Sequence, residues 1–329
     1  MNPTPNHLDV IAYHYVRDLA RTPFPRLKAM DAAAFRDQID ELGERFEFAT
    51  LESALAFLAG DYRPGRDLCL LTFDDGVRDH YEEVFPYLNA RRIQGVFFLV
   101  TSCLEGQVAA VHKNHFLMAA LDFSDYRRRF LTRLQAEHPG ELRVDAGRAR
   151  ATYRWDNDEV AEFKYLLNFV LPDRVRHAVL DGVFAECLGR DAEFSRLLYL
   201  NWDEARTMQQ NGMIVGGHTH THAALSRLRP EDQWRELQVS TGLLRHRLEP
   251  QMVWPFSYPY GKDDSFDDGT VRHLHQLGYS CAFTTVPGRN RPAQDAFRIR
   301  RIDPKEVGAL RPVSARRSAP DRPDLLHIS

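Results

Sequence analysis

The chain has 329 residues, 43% of them apolar and 11% aromatic, which is enough to bury one large core or two modest ones; one elaborated domain is the expectation. Its 43 basic and 46 acidic side chains are interspersed and nearly cancel, to a formal charge of -3, so no whole-molecule field attracts a polyanion and nucleic acid is not an expected partner. Four widely spaced cysteines with no C-x-x-C pair argue against a zinc knuckle or a disulfide framework, and with no run of 18 apolar residues and no basic, apolar leader at the start, a cytoplasmic protein without a membrane span is expected.

Along the chain, short apolar runs alternate with amphipathic stretches. The runs are Leu8 to Tyr15, Leu68 to Phe73, Gly95 to Val100, Met213 to Gly216, Met252 to Tyr258, Ser280 to Thr285 and Phe297 to Ile302. Helical patterns cover Asp31 to Leu42, Leu51 to Leu58, Asp79 to Ala90, Trp202 to Gln210, Pro230 to Leu248 and Asp268 to Leu277. Hydrophobicity that is continuous rather than alternating predicts strands buried on both faces, and the strand-then-helix rhythm predicts parallel pairing through crossover helices. An α/β fold follows, either a (β/α) barrel or a doubly wound sheet. The rhythm breaks over residues 101–199, a charged, helical-looking insertion between a first part, 1–100, and a second part, 200–302. Because the insertion follows a strand end, where catalytic loops gather, it is a candidate lid. Residues 303–329, rich in proline and charge, read as a loosely packed or disordered tail.

Three motifs carry chemistry. Leu71-Thr72-Phe73-Asp74-Asp75-Gly76 ends an apolar strand in two adjacent carboxylates. Such acids repel, and a cation relieves the repulsion, leaving one as ligand and the other free to accept a proton; the alternative is an N-cap pair opening the helix at Asp79. Gly216-Gly217-His218-Thr219-His220-Thr221-His222 follows the next short strand. Imidazoles four residues apart in a helical turn share a face and can reach one metal, while His220 faces away. Two histidines and a carboxylate leave coordination positions open, as in catalytic metal sites. Trp254-Pro255-Phe256-Ser257-Tyr258-Pro259-Tyr260-Gly261 is an aromatic strand closed by a Pro-Tyr-Gly turn, and alone it reads as core.

In this order, each at a strand's C-terminal edge, the motifs closely resemble those of the polysaccharide deacetylase family, the NodB-homology carbohydrate esterases. The resemblance covers Leu8 to Val100 and Leu200 to Ile302 and leaves the insertion unmatched. It implies a distorted (β/α)7 TIM-like barrel, a bound zinc or similar divalent cation, and hydrolysis of N-acetyl or sometimes O-acetyl groups from an acetylated saccharide; with no export signal in view, an intracellular precursor in surface-polysaccharide metabolism is the expected substrate. It also implies Asp74 as general base, Asp75, His218 and His222 as metal ligands, and the Tyr260 backbone N–H as a donor to the oxyanion.

Two departures stand out. Many members carry an arginine just before the Pro-Tyr of the third motif, where this chain has Phe256-Ser257-Tyr258, and a late Leu-His block that supplies the general acid is replaced by Phe297-Arg298-Ile299-Arg300-Arg301-Ile302. The acid is therefore open, with His14 as the catalytic candidate and Arg301 able to stabilise charge. Tyr258, Trp155 and Arg301 are the candidate substrate contacts; Trp155 stands between Arg154 and Asp156 in the insertion, which also carries His112-Lys113-Asn114-His115. Two other readings stay open: an amidohydrolase acting on a small non-sugar amide, and a catalytically silent carbohydrate-binding barrel.

Overall fold

The seven apolar runs become seven parallel strands. In the computed structural model, which describes residues 6–140, 144–152 and 157–310, these are β1 (Leu8–Tyr13), β2 (Leu68–Phe73), β3 (Gly95–Leu99), β4 (Ile214–Gly217), β5 (Pro255–Ser257), β6 (Cys281–Pro287) and β7 (Ile299–Arg301). Each pairs with its chain neighbour, beginning with the register Leu8 to Leu68 through Tyr13 to Phe73 between β1 and β2. A two-residue strand, Glu47–Phe48, adds to β2. The sheet then curls round: Ala12 N–H donates to the Ile302 carbonyl at 3.0 Å and Ile302 N–H donates to the Val10 carbonyl at 2.8 Å, so the ends of β1 and β7 nearly close a distorted (β/α)7 barrel.

Every residue of β1, β2 and β3 is buried, which explains why the runs are continuously apolar. Side chains still alternate between two cores. Leu8, Val10, Leu68, Leu70, Val96, Phe98, Phe283 and Ile299 form one. Their strand neighbours Ile11, Tyr13, Leu71, Phe73, Phe97 and Leu99 join helical residues Phe35, Ile39, Ala205, Met208 and Leu244 in the other. Asp74 extends the Leu68, Leu70, Thr72 series by one step, and Arg301 extends that of Ile299. Strand alternation, with a register shift between Ile299 and Arg301 in the pairing of β7 with β6, thus brings an acid and a base from opposite ends of the sequence together at the strand ends.

The crossover helices fall where the periodicity puts them, with chemistry that starts and stops them. Helix α1 (Ala32–Arg45) is capped by Asp31 and α2 (Leu51–Ala59) by Thr50, while Gly60 at φ 87° ends α2. Helix α3 (Phe85–Ala90) precedes β3; α4 (Trp202–Gln210) and α6 (Asp268–Gln276) begin in capping boxes at Asn201–Glu204 and Asp267–Thr270, and α5 (Pro230–Arg247) has proline in its first turn. One stretch departs from the expectation: the helix at Asp79 to Ala90 opens as a π-helical turn, His80–Val84, before α3. The tail also differs from its loosely packed reading as far as residue 310. Pro304–Ala309 forms a 3₁₀ turn that buries Val307, because Asp303 caps it and an apolar side chain is available to fill the outer core; residues beyond 310 lie outside the described ones.

The chain forms two compact units, one made of the described residues up to Asp18 with Ala29–Leu104 and those from Leu198 on, the other of Leu19–Lys28 and Glu105–Leu197. The first is the barrel. The second is helical, with Phe24 from the short segment set edge-on to Phe116 at 4.9 Å, and Phe116 and Phe184 in turn packed on Phe194 at 5.1 and 5.0 Å. Among the described residues no helix is long and apolar enough to cross a membrane, and the four cysteines are free thiols.

Candidate active site

The loops leaving β2 and β4 deliver the charged side chains. Six non-glycine residues among those described have positive φ, and four of them are Asp75 (79°), Thr219 (62°), His222 (63°) and Tyr260 (63°). Left-handed backbone costs a non-glycine residue about 1 kcal/mol or more, and its concentration here marks loops held in place by their surroundings. The holding contacts are evident. His218 N–H donates to the Leu99 carbonyl at 3.0 Å; the Thr219 carbonyl accepts from Ser240 Oγ at 3.1 Å; Thr221 donates from both its N–H and its hydroxyl to Glu236. Residues 218–224 are therefore a strained loop and not the helical turn expected from the four-residue spacing. His218 and His222 still converge, because two left-handed residues turn the chain back on itself.

His218 Nε2 and His222 Nε2 lie 3.5 and 3.4 Å from Asp75 Oδ1. Three donors about 2.0–2.1 Å from one tetrahedral ion stand about 3.4 Å from each other, so these spacings fit a shared cation. His218 Nδ1–H donates to the Ser257 carbonyl at 2.7 Å, which leaves the Nε2 lone pair facing Asp75, the backing that orients a metal-ligating histidine. The trio can hold one metal ion. In the absence of an ion, burial disfavours the His218 proton, but the Asp74 and Asp75 carboxylates outweigh it and raise the ring's pKa. His220 turns aside, its Nδ1 2.9 Å from Thr101 Oγ1.

Beside this trio, Asp74 is buried and held from several directions. Arg301 Nη1 and Nη2 donate to its two oxygens at 2.8 and 2.7 Å, and the Ser257 hydroxyl donates to Oδ2 at 3.2 Å. Arg301 is itself only 2% exposed and also donates to the Thr284 carbonyl, Thr72 and Ser257. Burial pushes the Asp74 pKa up, yet the guanidinium more than offsets that and brings it down to about 2. Asp74 is an ionised, oriented carboxylate. The half-exposed His14 ring stands beside it, Nε2 3.9 Å from Asp74 Oδ2.

The remaining candidates divide. Tyr258 is fully buried, its hydroxyl donating to the Phe297 carbonyl at 3.0 Å and its ring stacked on Phe266 at 3.8 Å, so it is a core residue and no substrate contact. Arg301, expected to touch substrate, has all its reach committed to Asp74 and neighbouring oxygens inside the barrel. Tyr260 remains 49% exposed, its ring edge-on to His222 at 5.1 Å. Lys113, 4% exposed, is paired with Asp181 and Asp191 at 2.6 and 2.7 Å, and Asn114 accepts from the Tyr126 hydroxyl, so this part of the insertion motif is structural. Arg154, Trp155 and Asp156 lie outside the described residues. Sequence reasoning missed Ser257 as a partner of Asp74 and misassigned Arg301. Strand alternation was the available signal, since both positions continue the inward series of their strands.

Residues 61–121 and 169–282, more than half of the chain, match the family model described as polysaccharide deacetylase. The chain belongs to the polysaccharide deacetylase family. A curated relative, YxkH of Bacillus subtilis (strain 168), whose own description as a polysaccharide deacetylase is provisional, is 27% identical over 104 residues, 32% of this chain and 36% of that protein. Solved deacetylases share the fold. Streptococcus pyogenes PplD in complex with acetate superposes with a TM-score of 0.56 at 17% identity, covering 93% of this chain and 98% of that one. IcaB from Ammonifex degensii gives 0.55 at 20% over 93% and 95%, and the BpsB deacetylase domain from Bordetella bronchiseptica 0.55 at 18% over 92% and 98%.

Proposed function

We propose that this polysaccharide deacetylase removes N-acetyl groups from a surface polysaccharide or its precursor with the help of a divalent cation held by Asp75, His218 and His222. The observation that carries the reading is the pairing of a two-histidine, one-carboxylate cluster with a second carboxylate, Asp74, held ionised beside it by Arg301 and Ser257. Two imidazoles and a carboxylate suit zinc. Such an ion, when bound, supplies Lewis acidity that lowers the pKa of water and polarises a carbonyl.

The chain's own groups account for the remaining chemistry. Asp74 accepts the proton of the attacking water, and the Arg301 and Ser257 donors fix which lone pairs face it. With its pKa held near 2 by Arg301, Asp74 stays ionised and available as an acceptor throughout the neutral range. The Tyr260 N–H, on its left-handed turn, donates to the developing oxyanion; a well-placed donor of this kind contributes about 2.7–4 kcal/mol. His14 protonates the departing amine, and the side-chain geometry supports it by exposure and by its place 3.9 Å from Asp74. The exposed Tyr260 ring offers an apolar face to a sugar.

Acetate release from N-acetylglucosamine oligomers by the zinc-loaded protein tests this. Asp74→Asn should keep the metal and lower turnover by at least about 10²-fold. Unchanged turnover in that variant would remove Asp74 as base, and acetate from no acetylated saccharide would remove the substrate class.

A further inference from the structure

Resting on the assignment of His14 as the acid, we propose that His80 and Asp79 are positioning residues that set the His14 imidazole for proton transfer to the leaving amine. His80 is completely buried between Phe73 and Phe97, with ring centroids 5.6 Å from each. Its Nε2 lies 2.8 Å from the His14 carbonyl. A carbonyl can only accept, so Nε2 carries the proton. The other ring nitrogen, Nδ1, is buried with no hydrogen-bond partner. A buried unpaired polar atom costs roughly 1–3 kcal/mol, and an apolar side chain would fill the same aromatic slot without that cost. What only the imidazole provides is the bond to the backbone of His14.

The neighbouring residue holds the same segment from its other end. The Asp79 carboxylate receives the Arg17 guanidinium in two parallel bonds of 2.9 Å each, with both side chains largely buried. Arg17 belongs to the short strand Val16–Arg17, which pairs with Met30–Asp31. Residues 14 to 17 are thus tied at both ends to consecutive residues, Asp79 and His80, and those open the π-helical turn His80–Val84 that leads into α3. Single π turns recur at functional sites. The His14 ring itself is half exposed, with Asp74 Oδ2 at 3.9 Å, so its position is set through its backbone.

In the reaction, water adds to the acetyl carbon, the C–N bond breaks with its electron pair going to nitrogen, and that nitrogen takes a proton from His14; acetate and a free amine result, and His14 is reprotonated from solvent. An activated acetyl ester such as 4-nitrophenyl acetate leaves without that proton and separates the acid's task from all others. With zinc-loaded protein, His14→Ala and His80→Ala should each lower kcat for an N-acetylglucosamine oligomer by about 10²-fold with little change in KM, while ester hydrolysis and metal content stay within about threefold of the parent. His80→Gln, whose amide can also donate to the His14 carbonyl, should recover at least about tenfold, and Arg17→Gln should shift the amide-to-ester ratio in the same direction as His80→Ala. Equal losses on amide and ester in the His80 variants, or an unchanged ratio, would overturn the positioning role. If His14→Ala shifts the ratio and the His80 and Arg17 variants do not, His14 stands as acid and the positioning claim falls; if His14→Ala leaves the ratio alone, both fall. Should His80→Ala not fold, His80→Gln and Arg17→Gln decide the question.

Discussion

Asp74 and Arg301 show how much of this site depends on two side chains 227 positions apart in the sequence. Removing one member of a buried ion pair leaves the other charge uncompensated, commonly at about 3–5 kcal/mol. Asp74→Asn should therefore destabilise the fold by about 3 kcal/mol as well as silence it, measurable by urea unfolding at neutral pH. Part of that cost is pH-dependent. The folded pKa of about 2 lies below the ordinary 3.8, so the ionised carboxylate contributes about 2 kcal/mol above pH ~4, and this is lost as pH falls through 2. The gap between parent and Asp74→Asn should narrow over that interval; a gap unchanged between pH 6 and pH 2 would mean that Asp74 is not held ionised by Arg301. The two acids, the two histidines and Tyr260 were legible because each sits in a compact motif. The Asp74 partners were not: Arg301 and Ser257 look like any strand residues until the barrel brings β7 and β5 beside β2.

At the scale of elements, the seven strands and their crossover helices were legible because burial on both faces and capping chemistry both leave local patterns. The loops were less so. Residues 218–222 bring His218 and His222 to Asp75 through left-handed backbone at Thr219 and His222, a conformation that side-chain identity does not announce. Close packing at their root is encoded by small residues. A Cβ at Gly216 would stand 2.4 Å from the Pro255 carbonyl and 2.8 Å from the Phe98 ring, so β4 approaches β5 only because that atom is missing. Gly216→Ala should cost about 1–3 kcal/mol through overpacking and displace His218, weakening zinc binding. Wild-type stability with wild-type metal affinity would contradict that account. The π-helical turn at His80 was also hidden, since its periodicity over five residues does not differ enough from a helix to be read.

For the whole molecule, the candidate active site and a buried ion cluster occupy opposite ends of the barrel. The acids and histidines follow the C-terminal ends of β2 and β4, whereas near the start of β1 the buried Asp9 and Asp67 share the guanidinium of Arg289 at 2.6 and 3.1 Å. Burial raises the Asp9 pKa even with Arg289 beside it. Arg289→Met would strand two buried acids and should lower stability by about 3 kcal/mol or more while leaving metal content unchanged, as read by thermal unfolding and elemental analysis of the same preparation. Loss of metal in that variant would show that the two ends are not separable. The division of the chain into a barrel and a helical unit follows the break in rhythm after residue 100, but Leu19–Lys28 joins the helical unit through Phe24, a single aromatic in a short irregular segment that carries no periodicity.

The central claim is that Asp75, His218 and His222 together hold the ion on which acetate release depends. Zinc content and acetate release measured side by side in the parent, Asp75→Ala and His218→Ala proteins test it most directly. The parent should carry about one ion per chain, and both variants should lose metal and acetate release together. Full acetate release from a variant that carries no metal would contradict it.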